Sequence, residues 1–219
     1  MKQRIFVIVI LGIFFASLSF GIVKRNTYTD MVSKNNYLEH LQVALLPEKF
    51  VMSACKELEE ISETVPIIVK VKAMEEIEHL FGISRQKVKI LSVFRGNHLK
   101  KDMELYVYSN KWSLSLSIEP KSIERGFVNI METEQEYLLF LDEPTTSLYD
   151  STSSYKLYDD TLIAPVFGYK DRETVIAKTN KEHTYISYTD VKNNEFFCDT
   201  QLGHETWKQL KEQLFKIYH

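Results

Sequence analysis

Nineteen consecutive residues, Ile5 to Val23, carry no charge, and basic residues bracket them, with Lys2 and Arg4 before and Lys24 and Arg25 after. As a helix at about 1.5 Å per residue this run reaches roughly 28 Å, close to the hydrocarbon thickness of about 30 Å. It is longer than the apolar core of a signal peptide, which runs about 7 to 15 residues. The length favours an uncleaved signal anchor that holds the chain through residues 5–23. The small residues Ala16-Ser17-Leu18-Ser19 offer the alternative of a signal peptide cut near Ser19 and a secreted product. Lys2, Arg4 and the terminal amine outnumber Lys24 and Arg25 by only one, and it is the signal-like layout that favours the amino end inside and the remainder outside the cytoplasm.

Residues 1–25 thus form an address, 26–36 a polar linker and 37–219 one extracytoplasmic domain. Residues 1–25 hold four basic side chains and no acid, so 23 basic residues face 30 acidic ones in the rest, a net charge of −7. An acidic domain is a poor partner for nucleic acid or an anionic lipid surface. With 44% hydrophobic and 12% aromatic residues the chain has enough apolar surface for a core.

Periodicity sets the elements. Leu38, Leu41 and Leu45 predict one helical face, and Pro47 opens a second helix in which Val51, Cys55, Leu58 and Ile61 share a face up to Ser62. Val65, Ile67, Val69 and Val71 alternate as a strand, followed by a short helix over 74–81. Arg85 to Phe94 reads as a strand whose phase slips near Ile90, which predicts a bulge. Further strands are expected at Met103 to Val107, Leu114 to Ile118, Phe127 to Met131 and Tyr137 to Leu141, the last apolar throughout and so central. A loop is expected from Asp142 to Ser154, shorter strands follow between 155 and 198, and Trp207, Leu210, Leu214 and Ile217 mark a closing helix from about His204 to Tyr218. The fold class is mainly β with flanking helices: an OB-like barrel, closed or partly open, plus amino- and carboxy-terminal helices.

The order PIIVKVKA, VKILSVFRGNHLKKDMELYVYS and EYLLFLDE resembles that of netrin-like domains, the OB-type barrels that include the tissue inhibitors of metalloproteinases. Arg95-Gly96, Asp102 and Tyr137 to Leu141 carry the likeness, over roughly residues 65–142. The whole is also similar to uncharacterised membrane-anchored proteins of Gram-positive bacteria. The inhibitors chelate a protease metal through an amino-terminal Cys and hold several disulfides, and this sequence has neither, so the resemblance does not imply protease inhibition.

Motifs for chemistry are absent. Glu75 and His79 have ligand-like helical spacing, but the same spacing describes a solvated pair, and there is no HExxH or CxxC. No metal, no cofactor and no catalytic residue is therefore predicted. Cys55 and Cys198, 143 positions apart, either form a disulfide, worth on the order of 4 to 5 kcal/mol in the chain-entropy account, or are two buried thiols. The best surface signal is aromatic: Tyr106 and Tyr108 lie opposite Leu105 and Val107, with Trp112 close behind, and they form an exposed strip unless a terminal helix covers them. Two function classes follow. One is a non-enzymatic, membrane-tethered binding or accessory protein whose partner is an envelope protein or glycan. The other is an envelope hydrolase using carboxylates near Asp142, Asp159 and Asp160, which requires acids and a histidine to meet in one pocket.

Overall fold

The computed structural model describes residues 2–27, 39, 42–79, 83–109, 112, 114–115, 122–123, 130–145, 153–158, 161–172, 175–176 and 185–219. It divides into two units, Met1–Tyr37 and Leu38–His219.

The first unit holds helix α1 (Lys2–Thr27). Within it Arg4–Arg25, 22 residues with a mean hydropathy of 2.7 and none of the span buried, is long and apolar enough to cross a membrane, a property that signal sequences share. Phe6, Phe14, Phe15 and Phe20 are all more than half exposed. Apolar side chains on every face of a helix suit hydrocarbon and not water.

The second unit opens with strand β1 (Gln42–Ala44), where the leucine spacing predicts helix. Tertiary pairing overrides that local pattern, because Val43 is fully buried in a small sheet. Helix α2 (Glu48–Ser62) starts after Pro47 as expected and buries Val51, Cys55 and Leu58. The carbonyls at its end are satisfied from elsewhere in the fold. Arg95 Nη1 donates to Ser62 (3.1 Å) and Val65 (2.7 Å), and the Tyr218 hydroxyl donates to Ser62 (3.1 Å).

Strands β2 (Ile67–Ala73), β3 (Glu78–His79), β4 (Ser84–Arg95) and β5 (Glu104–Ser109) come next. They are followed by β6 (Leu114–Ser115), β7 (Ser122–Ile123), β8 (Glu136–Thr145) and β9 (Ser154–Leu157). The last elements are β10 (Val166–Gly168), β11 (Tyr185–Ser187), the short α3 (Tyr188–Val191) and α4 (Gln201–Ile217). Five strands close a mixed, OB-like barrel. β2 pairs antiparallel with β4 and β8, β4 pairs with β5, and β9 seals the ring by running parallel to β5 and antiparallel to β8. Closure removes the free edges that would otherwise invite pairing between molecules. β11, β1, β7 and β6 form a separate four-stranded sheet.

The barrel follows the two-residue period. Val69, Val71, Val88, Ile90, Leu105, Val107, Leu139 and Leu141 are fully buried on one phase. On the other phase Lys70 pairs with Glu136 (2.7 Å), Lys87 with Glu104 (2.9 Å) and Lys89 with Asp102 (2.9 Å). Such solvent-exposed pairs contribute little to stability, so the apolar phase dominates barrel stability. The bulge expected near Ile90 is found one residue on. The register passes from Ile90 opposite Val71 to Ser92 opposite Lys70, skipping Leu91, and a second skip at Phe94 adds bend to the strand. Gly96 has φ +115 in the turn that follows, and a Cβ there would come within 3.3 Å of Ile67.

Three further expectations are corrected. In place of the helix over 74–81, Glu78–His79 is a strand paired to Arg85 and Ser84, so Glu75 and His79 do not share a helix face. The Glu78–Arg85 ion pair (2.6 Å) favours that hairpin. The loop expected from Asp142 begins later, because β8 runs through Pro144, which sits opposite Tyr155. Ile130 and Met131 belong to no strand. Residues 116–118, 127–129 and 146–152, where other strands and the remaining loop are expected, lie outside the described residues.

Candidate functional site

The site is built on α4. Thr200 caps the helix by accepting the Gly203 N–H (3.2 Å), and the predicted apolar face is present, with Trp207, Leu210 and Leu214 buried. Lys211 lies four residues after Trp207 and therefore on that same buried face. Its ammonium donates to Glu195 Oε2 at 2.7 Å, with side-chain exposures of 7% and 11%, and Asp171 stands 3.5 Å away. The other Glu195 oxygen accepts the Gly168 N–H (2.9 Å). Glycine suits position 168, because a Cβ would lie 3.4 Å from the Tyr137 ring and 3.6 Å from Glu195 Oε1.

Beside this pair the Trp207 indole is sandwiched between Phe167 and Phe196, with centroid distances of 4.9 and 5.0 Å and interplanar angles of 18° and 15°. Each such pair adds about 0.5 to 1.5 kcal/mol beyond area burial. Arg172 is nearly buried, with 9% side-chain exposure. Its Nη2 donates to the Tyr137 hydroxyl (3.2 Å) and to Glu132 Oε2 (3.2 Å). Burial raises the Tyr137 hydroxyl above its ordinary pKa, so it stays protonated.

Asp171, Arg172, Glu195, His204, Trp207 and Lys211 line a cavity of about 320 Å³. His204 Nε2 donates to the Cys198 carbonyl (3.2 Å), which leaves Nδ1 as an acceptor on the neutral ring. Burial holds this imidazole below its usual 6.5, only partly offset by the bond to Cys198. The folded state thus resists a proton that the unfolded chain accepts. Stability is fully present above pH 6.5 and is lost as pH falls through the lower folded value. The unfolding midpoint should fall between pH 7 and 5, and His204→Gln should flatten that slope; equal slopes in the two proteins would refute the assignment.

Two donors on residues that line the cavity, Arg172 Nη1 and Trp207 Nε1, are themselves buried away from it and have no acceptor among the described residues. The arrangement can hold a polar ligand. Asp171, Glu195, Glu205 and His204 do meet in one cavity, yet the histidine bonds to a backbone carbonyl and not to a carboxylate. An acid–histidine proton relay is therefore not assembled in this geometry.

The residues singled out by sequence lie elsewhere. Tyr106 and Tyr108 are half-buried on the outward face of β5, and the Arg85 guanidinium lies 4.2 Å over the Tyr106 ring. Trp112 is corrected: it is 1% exposed and belongs to the core, so no exposed strip includes it. Burial of so large an indole outweighs its display, and Ser84 Oγ donates to its carbonyl (2.9 Å). Asp142 is half-buried in β8 and does not line the cavity, while Asp159 and Asp160 lie outside the described residues. Cys55 and Cys198 are both buried free thiols. Desolvation, with Cys198 nearby, pushes the Cys55 thiol up to about 12. Among the described residues no group of three or more His, Cys, Asp or Glu is placed to hold a metal.

Cys198 packs directly on the first turn of α4, and a Cβ at Gly203 would collide with its Sγ. Gly203→Ala should therefore destabilise the fold by about 1 to 3 kcal/mol, despite alanine's better helix propensity. A urea midpoint equal to or above that of the parent would contradict this packing.

The sequence carried one unread signal for the site. A lysine at the i+4 position of an apolar stripe, between Leu210 and Leu214, implies a buried acidic partner, although nothing local names Glu195. Neither protein-family models nor curated proteins give a match to this chain.

Proposed function

We propose that this chain is a non-enzymatic, membrane-tethered binding module whose domain works outside the cytoplasm and whose ligand occupies the cavity beside α4. The carrying observation is the buried Lys211–Glu195 pair set next to Arg172 in an open cavity. Desolvated charge of this kind is a costly way to stabilise a fold and a common way to build a polar site. The apolar α1 supports the tether, and a closed OB-like barrel supports a binding role, since such barrels serve as contact modules. The partner class is an envelope protein or glycan.

Fractionation and capture test this reading together. The chain should sediment with membranes, its domain should be cut by protease added outside intact cells, and cross-linking in membranes should capture a partner that Arg172→Ala loses. Recovery in the cytoplasm, or an identical capture profile for Arg172→Ala, would sink it. The meeting of Glu195, Glu205 and His204 in one cavity favours a second reading, an envelope hydrolase with its acids here and not at Asp142, Asp159 or Asp160. That reading requires cleaved envelope polymer in place of a captured partner.

A further inference from the structure

We infer that Cys55 and Cys198 form a disulfide in the exported protein, one that ties α2 to the start of α4; the inference rests on the reading that the domain works outside the cytoplasm. The two helices lie side by side and run the same way. At their starts Leu46 forms a parallel bridge with Cys198, and Leu46 N–H donates to the Phe197 carbonyl (3.3 Å). At their ends the Tyr218 hydroxyl donates to the Ser62 carbonyl (3.1 Å). Cys55 lies between Val51 and Leu58 on the buried face of α2, and α2 packs on α4. A helical side chain leans toward the amino end of its helix, which here is the end where Cys198 sits. Cys198 in turn lays its Sγ on Gly203, the first buried residue of α4. Both sulfurs are thus held in one interface, on residues 4% and 1% exposed. They are near enough for charge on Cys198 to raise the Cys55 thiol.

The chain has two cysteines, so a single intramolecular pairing exists. The structure carries both as free thiols, the state that precedes oxidation. Outside the cytoplasm such a pair is oxidised, and a buried bridge resists reduction. The two are not placed as a reactive dithiol, because burial pushes both thiols up and His204 directs Nε2 to the Cys198 carbonyl and not to its sulfur. Both sulfurs are covered once α2 and α4 meet, so the bridge forms earlier, as the chain folds. The thiolate of one cysteine attacks the disulfide of an extracytoplasmic dithiol oxidase, which forms a mixed disulfide and releases one sulfur of the oxidase as a thiolate. The thiolate of the other cysteine then attacks the chain's own sulfur and displaces the second sulfur of the oxidase. The chain gives up two electrons and two protons, and the oxidase leaves as a dithiol.

Cells producing the full-length chain are quenched in acid, and the denatured protein is alkylated with N-ethylmaleimide, then reduced and alkylated with iodoacetamide. Intact mass should show a monomer with no maleimide and two acetamide groups. Cys55→Ala and Cys198→Ala should each take one maleimide, on the cysteine left without its partner. In detergent micelles, reduction should lower the melting temperature of the parent chain by on the order of 10 °C, and neither alanine variant should respond to reductant.

Two maleimides on the parent chain, a disulfide-linked dimer, or a melting temperature that reduction leaves unchanged would overturn the bridge. Protease added outside intact cells separates this failure from failure of the extracytoplasmic reading. A chain that is cut and carries two maleimides loses the bridge alone, and an uncut chain with two maleimides loses both.

Discussion

Lys211→Met should lower the unfolding free energy of the domain by about 3 to 5 kcal/mol, because it strands the Glu195 carboxylate in a site with almost no solvent. Both partners are nearly buried, with 7% and 11% side-chain exposure, so solvent screening removes little of the effect. Methionine retains the length and apolar stem of lysine, which leaves lost packing a minor contributor. Glu195 keeps its bond from Gly168 N–H, and one neutral donor does not replace an ammonium. The double variant Lys211→Met, Glu195→Gln should recover most of the loss, since a neutral amide still accepts from Gly168 and no charge is left unpaired. The measurement is a double-mutant cycle on thermal or urea unfolding of the full-length chain. Additive losses would show that the two side chains act independently and that their contact is incidental.

Trp207→Ala should be comparably severe, at about 3 to 5 kcal/mol, and should lower the melting temperature by on the order of 10 °C for a domain of this size. The indole fills the space between Phe167 and Phe196, so its removal opens a cavity and ends both ring stacks at once. Phe167 also packs on Phe140 of the barrel (5.6 Å), so the defect reaches from α4 into β8. Trp207→Phe should cost far less, because one ring remains between the other two. A loss below about 1 kcal/mol for the alanine variant would mean that the neighbours collapse into the gap and that the stack does not hold α4 to the barrel.

Different parts of this molecule were legible to different degrees, for physical reasons that particular residues make plain. α2 and α4 are amphipathic over several turns, and a period repeated that often outweighs local noise. The phase slip near Ile90 announced a real bulge, since a bulge is itself a change of side-chain phase. The leucines before Pro47 and the segment from Met74 were misleading, because short stretches take the conformation that neighbouring strands impose. Val43 and Glu78 pair with partners distant in sequence or across a hairpin, and no window of a few residues encodes those partners. Trp112 illustrates the same limit, because neighbours in sequence fix which face a side chain occupies but not what covers it.

By itself the sequence determined the apolar helix, the two amphipathic helices and the alternation that makes Val69, Val71, Leu105 and Val107 a barrel interior. Each of these is a periodic property of consecutive residues, and hydrophobic burial acts on periodicity directly. Only the tertiary structure decided the closing of β9 between β5 and β8 and the meeting of Arg172, Glu195 and Lys211 around one cavity. Those residues come from three separate segments, and their charges are tolerable in a buried site only because the fold brings each to its partner.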